Sequence, residues 1–271
     1  MTNQPRPDVL IVGGFMTYPP AYFAMRARLR ARGAAQVRIC PLWPHDWLGA
    51  AVRGLGPMVE RTARSVERLH AAGEGGPIMI VGHSAGGVLA RLVTAPAPFE
   101  GRRADVSELV GAIVTLGTPH TVAAEPWRGQ RAGRDASLFL EQAVPGAYFA
   151  PRTGYLTVAS RMVAAAGVRS GFEPWWAGLA YSLLLGDRGR AELGDGMVPA
   201  AVAHLEGARQ LTFDDVRHGH LGAGWYGDGR VLDRWWPAAV ETWQAALEAR
   251  AAALPTGRAE PEASSIRLAL D

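Results

Sequence analysis

The chain has 271 residues, enough for one large domain with its own buried core. Hydrophobic residues make up 48% and charged residues 20%, a composition that excludes a disordered or fibrous chain. The 28 basic residues exceed the 25 acidic ones by only three, and the arginines are scattered, so we expect no nucleic-acid partner. The single cysteine, Cys40, excludes an intrachain disulfide and a thiolate metal cluster.

The start of the sequence predicts a cytoplasmic location. Residues 1–8 are polar, and the apolar run over residues 9–12 is far too short for the core of a signal peptide. The apolar stretch over residues 175–185 is also too short to span a bilayer. We therefore expect no integral membrane segment and leave transient contact with a lipid surface open.

Short apolar runs alternate with helical patterns along most of the chain, beginning with a run that enters the glycine pair Gly13-Gly14. Strands alternating with helices predict an α/β fold in which a mostly parallel sheet is covered by helices on both faces. The predicted strands cover residues 8–12, 36–40, 77–81, 109–116, 155–160 and 209–213, and the predicted helices cover residues 22–32, 58–72, 88–94, 199–204 and 231–252.

Two stretches depart from this alternation. The pattern weakens over residues 121–151 and is irregular over residues 161–193, where aromatic and aliphatic residues crowd together. We interpret both as candidate cap segments within a single domain of residues 1–254. Residues 255–271 predict a disordered tail.

The sequence Gly82-His83-Ser84-Ala85-Gly86 matches the pattern G-x-S-x-G between a predicted strand and a predicted helix. A serine at the apex of such a turn is held at strained backbone angles, so the residues two before and two after it must lack bulk. The turn also places the hydroxyl near a helix N-terminus, which favours developing negative charge. A phosphate-binding loop of the Walker type would need a lysine, and the chain contains none. The motif therefore predicts Ser84 as a nucleophile.

A serine hydroxyl needs a base, and on such a sheet the base is a histidine that follows the acid in the chain. His204 lies in a predicted helix and is interpreted as structural. His218 and His220 lie in a glycine-containing loop after the strand of residues 209–213. The residue pattern alone leaves both as candidates.

The acid should lie on a loop between the nucleophile and the base. Asp195 lies in the tight turn Gly194-Asp195-Gly196 ahead of a predicted helix and is the favoured candidate. Asp187 and Asp215 are the alternatives. Asp215 is so near the candidate bases in sequence that reaching round the imidazole ring would be difficult.

Acyl transfer also needs hydrogen-bond donors for the oxyanion. One should be the backbone N–H of Ala85, the residue after the nucleophile. The second should come from the loop after the first strand, where Phe15 follows Gly13-Gly14. These two N–H groups form the predicted oxyanion hole.

Several motifs together resemble those of serine lipases and esterases of the α/β-hydrolase family. GHSAGG, TLGTPH at residues 115–120 and GDGMVP at residues 194–199 occur in the lipase order, and VRHGHLG with WYG at residues 225–227 is similar to small plant and bacterial lipase-like hydrolases. The similarity covers most of residues 8–245. It implies a Ser84, Asp195 and His218 triad. It also implies hydrolysis of carboxylic esters through an acyl-serine intermediate, with neither metal nor organic cofactor.

Two features depart from the lipase pattern. Gly13-Gly14 replaces the His-Gly dipeptide that precedes the oxyanion donor, and the segment of residues 161–193 is longer than expected. Within that segment, Trp175 and Trp176 are candidates for an apolar lid or acyl pocket, although clustered aromatic residues also fill protein cores.

We expect a small-molecule acyl ester or a lipid as substrate. An acyltransferase or a thioesterase would use the same three side chains. A non-catalytic binding protein on this fold would be expected to lose a triad member, and this sequence has all three.

Overall fold

The computed structural model describes residues 5–73, 75–122, 131–219 and 224–253. His220, residues 123–130 of the segment of residues 121–151 and the predicted tail of residues 255–271 lie outside the described residues. In the described ranges, no helix combines the length and the apolar character that crossing a bilayer requires.

A six-stranded sheet forms the centre of the molecule, with strand order β2-β1-β3-β4-β5-β8 and all neighbours parallel. Two further strands, β6 and β7, pair antiparallel as a separate ribbon. The strands are β1 (Val9–Val12), β2 (Val37–Ile39), β3 (Ile78–His83), β4 (Val110–Leu116), β5 (Gly154–Ser160), β6 (Val163–Ala164), β7 (Leu193–Gly194) and β8 (Arg209–Phe213).

Helices follow most of the strands and cover both faces of the sheet. They are α1 (Phe23–Ala31), α2 (Pro44–Arg53), α3 (Gly56–Ala72), α4 (Ala85–Leu92), α5 (Arg131–Ala143), α6 (Phe172–Leu185) and α7 (Gly229–Ala252). Short 3-10 turns precede α1 at Pro19–Tyr22 and follow the turn of Asp195 at Ala200–Val202.

The sheet separates two apolar cores because successive side chains of a strand point to opposite faces. Val9 and Ile11 of β1 pack with residues of α1 and α7, including Met25 and Trp235. Leu10 of β1 packs on the other side with residues of α2, α3, α4 and α5. The predicted α/β fold with a parallel sheet covered on both faces is confirmed.

Three helices lie where the sequence predicted none. Helix α2 begins at Pro44, where the sequence predicted no element, but proline is well tolerated at the first position of a helix. Helix α5 lies in the weak stretch of residues 121–151. Helix α6 lies in the stretch predicted to be irregular, because apolar residues all round a helix leave no period to detect.

The segment of residues 161–193 packs over the carboxyl end of β5 as an insertion that contains α6 and β6. Ala177, Ala180 and Tyr181 of α6 form an apolar cluster with Val163 of β6. Leu184 and Leu185 pack against a second cluster that includes Val198, from the turn after Asp195. The insertion therefore contacts the loop that carries the predicted acid.

Candidate active site

Ser84 occupies the sharp turn between β3 and α4 with φ 53° and ψ −132°. A positive φ is strained for a residue with a side chain, and such strain is concentrated at functional sites. The turn is tight enough that an added Cβ on Gly86 would overlap the carbonyl of Val12, and one on Gly82 would overlap the backbone of Gly87. These contacts explain why the residues two positions before and two positions after the serine are glycine.

Neighbouring segments hold the Ser84 backbone in place. Its N–H donates to the carbonyl of Leu116 at the end of β4 (2.9 Å), and the Thr118 hydroxyl donates to its carbonyl (2.8 Å). Thr118 belongs to the lipase-like segment of residues 115–120. That segment therefore supports the strained turn from the adjacent strand.

Asp195 and His218 form a buried hydrogen-bonded pair. His218 Nδ1 lies 2.8 Å from Asp195 Oδ2, and the backbone N–H of His218 donates to the Asp195 carbonyl at 2.9 Å. The other carboxylate oxygen accepts from the N–H groups of Val198 (2.8 Å) and Met197 (3.1 Å). Both side chain and backbone thus fix His218 relative to Asp195, which is only 2% exposed.

Opposing effects set the pKa of Asp195. Burial raises the pKa of this carboxyl, but the charge and hydrogen bond of His218, with the N–H donors of Val198 and Met197, outweigh it and hold the pKa below its ordinary value. The ionised carboxylate can only accept hydrogen bonds, so Nδ1 of His218 carries a proton. In the neutral ring, Nε2 is then the acceptor.

Tyr226 is a further partner of the carboxylate that the sequence analysis missed. Its hydroxyl donates to Asp195 Oδ2 at 2.9 Å. Burial, followed by the negative charge of Asp195, raises the pKa of Tyr226 well above its ordinary value, so the hydroxyl remains a donor. The WYG motif contained this residue but gave no indication of its partner.

The ends of β1, β3 and β4 bring Ser84 close to this pair. An added Cβ on Gly14, after β1, would lie 2.6 Å from the Cβ of Ser84. One on Gly117, after β4, would lie 3.1 Å from His218 Nδ1 and would overlap Asp195 Oδ2. Within the described ranges, the Ser84 hydroxyl makes no hydrogen bond to the ring of His218.

The other candidate acids and bases lie in different surroundings. His204 bonds to the hydroxyls of Thr157 (2.8 Å) and Thr212 (2.9 Å) on the sheet. Asp215 pairs with Arg234 at 2.7 Å, and exposed Asp187 lies 3.6 Å from Arg190. None of these four contacts involves His218, and His220 lies outside the described residues.

Helix α6 reaches the loop of Asp195 at two points. Trp176, which is 45% exposed, directs its indole N–H to the sulfur of Met197 at 2.9 Å. The Tyr181 hydroxyl accepts from the N–H of Gly196 (2.9 Å) and donates to the Val163 carbonyl (3.0 Å). Trp175 lies on the same helix beside Phe172, with ring centroids 5.9 Å apart.

The two residues predicted to supply oxyanion donors are Ala85, next to Ser84 in the chain, and Phe15, which follows the Gly14 that contacts Ser84. Ala85 is the first residue of α4, where N–H groups have no acceptor within the helix. Phe15 follows Gly14, and its ring, 61% exposed, packs edge-on against Trp47. As for metals, no group of His, Cys, Asp or Glu side chains in the described part of the chain is arranged to hold an ion.

Comparison with known proteins agrees with this architecture. A family model described as a PGAP1-like alpha/beta domain matches residues 56–131, which include the turn of Ser84. Among curated protein sequences, none matches at a significant level.

Solved structures of lipolytic enzymes are similar at low identity. The mature form of lipase BlEst2 from Bacillus licheniformis is 18% identical with a TM-score of 0.58, covering 88% of this chain and 94% of that chain. A structure from work on the metagenome-derived lipolytic enzymes LipS and LipT is 12% identical with a TM-score of 0.50, covering 87% and 94%. The fold that the resemblance in the sequence implied is thereby confirmed, and the chain has the fold of the α/β-hydrolase family.

Proposed function

We propose that the protein is a serine hydrolase that cleaves carboxylic esters through an acyl-serine intermediate. The observation that carries this proposal is the buried Asp195 and His218 pair, located where Ser84 is held at a strained φ of 53°. This chemistry requires a nucleophile on a strained turn, a histidine of defined tautomer and an ionised carboxylate.

The reaction begins when Ser84 Oγ attacks the ester carbonyl and its proton passes to Nε2 of His218. The carbon–oxygen bond to the alcohol then breaks, and His218 returns the proton to the leaving alcohol. In the second half of the reaction, water attacks the acyl-serine with His218 again as the base. The carboxylic acid is released and the Ser84 hydroxyl is restored. Hydrogen bonds between nucleophile and base are often long without substrate, so the proposal has the Ser84 hydroxyl rotate to donate to His218 as the ester binds.

Negative charge on the carbonyl oxygen would be stabilised by the N–H groups of Ala85 and Phe15. The N–H of Gly14 is already bonded to the hydroxyl of Tyr22 at 3.1 Å. That bond supports Phe15 as the donor on this loop. The same loop contacts Ser84 directly through Gly14.

The first test is turnover of short p-nitrophenyl esters by Ser84→Ala. We expect a loss of about four to six orders of magnitude in kcat, because the nucleophile is removed. Ser65→Ala is the matched control, since its hydroxyl bonds to the Arg61 carbonyl of α3 and to the buried thiol of Cys40, neither of which belongs to the proposed site. Equal activity of both variants would refute Ser84 as the nucleophile.

The insertion suggests where the acyl group would bind. We propose that Trp175 and Trp176 of α6 line an apolar acyl site beside the loop of Asp195, on the strength of the contact from Trp176 to Met197. Trp176→Ala should then lower kcat/KM for long-chain p-nitrophenyl esters by about tenfold and leave two-carbon esters nearly unchanged.

A series of esters from short to long acyl chains measures this effect. Tyr148→Ala provides the control, because Tyr148 is similarly exposed but lies between α5 and β5, away from the insertion. If the loss in Trp176→Ala were the same at every chain length, Trp176 would not contact the acyl chain.

A further inference from the structure

A buried chain of hydrogen bonds joins the two loops beside Ser84 without using the side chains of the triad. The N–H of Gly14 donates to the Tyr22 hydroxyl (3.1 Å), which lies 2.8 Å from Nδ1 of His83. On the other side of the His83 ring, Nε2 lies 2.9 Å from the backbone carbonyl of His218. His83, the residue before the nucleophile, is therefore placed between the loop of Gly14 and the loop of the base.

The direction of each bond in this chain follows from the groups that meet. A carbonyl only accepts, so Nε2 of His83 carries the proton and Nδ1 of the neutral ring is an acceptor. The Tyr22 hydroxyl therefore donates to Nδ1 while it accepts from Gly14. Its longer contact with the Thr17 hydroxyl (3.3 Å) is secondary, because Tyr22 has one proton to give. Burial raises the pKa of Tyr22, which keeps that proton in place.

Water has little access to these bonds. His83 is 3% exposed and Tyr22 is 2% exposed. The His83 ring packs against Tyr22 and Trp225, each with centroids 5.8 Å away, and against the ring of His218 at 4.8 Å. A buried polar group that loses its partner is not readily rehydrated, so removal of one hydroxyl should disturb both loops.

We propose that Tyr22 and His83 are positioning residues that fix the Phe15 oxyanion donor and the His218 base relative to Ser84. Tyr22 holds the N–H of Gly14 and so orients the following peptide, which carries the N–H of Phe15. His83 holds the main chain of His218 through the bond from Nε2 to the His218 carbonyl. This inference rests on the proposed function, since it assigns how two parts of that site are kept in place.

The test compares Tyr22→Phe with Tyr155→Phe. Tyr155 is also buried, and its hydroxyl also accepts from a backbone N–H, that of Phe149 at 3.4 Å. It lies at the amino end of β5, whereas Ser84 follows the carboxyl end of β3. Tyr22→Phe should lower kcat for a p-nitrophenyl ester by at least about tenfold with KM changed less than about threefold, because the loss falls on the transition state. Tyr155→Phe should leave both values unchanged.

Binding of a trifluoromethyl ketone separates positioning from a general structural effect. This inhibitor forms a tetrahedral adduct with the serine whose oxygen occupies the oxyanion site. Its inhibition constant should rise in Tyr22→Phe by the same factor by which kcat/KM falls. The two tyrosine variants should unfold at similar temperatures.

His83→Gln gives a second variant that retains a side-chain donor for the His218 carbonyl. In the double variant with Tyr22→Phe, the two losses should be less than multiplicative, because the residues act through one chain of bonds. Unchanged kcat in Tyr22→Phe, or multiplicative losses in the double variant, would overturn the inference while wild type still hydrolyses esters. Wild type that neither hydrolyses esters nor reacts with a fluorophosphonate would instead remove the proposed function.

Discussion

His218→Ala is expected to lower kcat for a short p-nitrophenyl ester by about four to six orders of magnitude, because it removes the proposed base. The size of the effect follows from geometry. His218 is the imidazole that Asp195 holds at 2.8 Å and whose backbone N–H is bonded to the Asp195 carbonyl. Steady-state kinetics on the purified variant measures the loss.

His220→Ala is the control for this variant, since His220 is the neighbouring candidate that the residue pattern left open. We expect it to retain most of the activity of wild type. If His220→Ala were inactive and His218→Ala active, the assignment of the base would be wrong.

Asp195→Asn is expected to lower kcat by about three to four orders of magnitude, because the substitution enforces the wrong tautomer of His218. The N–H groups of Val198 and Met197 both donate to Oδ1 of Asp195. In the variant, they would keep the amide oxygen on that side and turn the amide nitrogen toward His218. Nδ1 would then have to accept, and Nε2 would carry the proton and be unable to take one from Ser84.

Asp215→Asn controls for the loss of a carboxylate in the same half of the chain. Asp215 is exposed and pairs with Arg234. Exposed ion pairs contribute little to the stability of the folded protein. Its kcat should stay within about twofold of wild type. An Asp195→Asn variant with wild-type kcat would show that Asp195 does not orient the base.

The centre of the parallel sheet was predictable because β1, β3 and β4 are largely apolar, buried runs. The run over residues 109–116 became β4, and the boundaries predicted for β8 match the structure. Helices α2 and α6 were missed for local reasons. A proline that can begin a helix looks like a terminator, and a helix that is apolar on every side has no amphipathic period.

The candidate site was likewise only partly predictable from the sequence. The G-x-S-x-G motif and chain order pointed to Ser84 and Asp195 but left His218 and His220 as alternatives, and the resemblance to lipases selected His218. The structure brings Asp195 and His218 into a hydrogen bond. Tyr22 and Tyr226 carry no local signal, because their roles depend on the residues that folding brings beside them.

Whether Ser84 is activated by His218 is tested most directly by a fluorophosphonate, which forms a stable adduct only with an activated nucleophile. Peptide mass spectrometry of the treated protein would locate the adduct. We expect rapid modification of Ser84 in the wild-type chain and greatly slowed modification in folded His218→Ala. A folded wild-type protein that stays unmodified, or that reacts equally fast without His218, would rule out activation of Ser84 by His218.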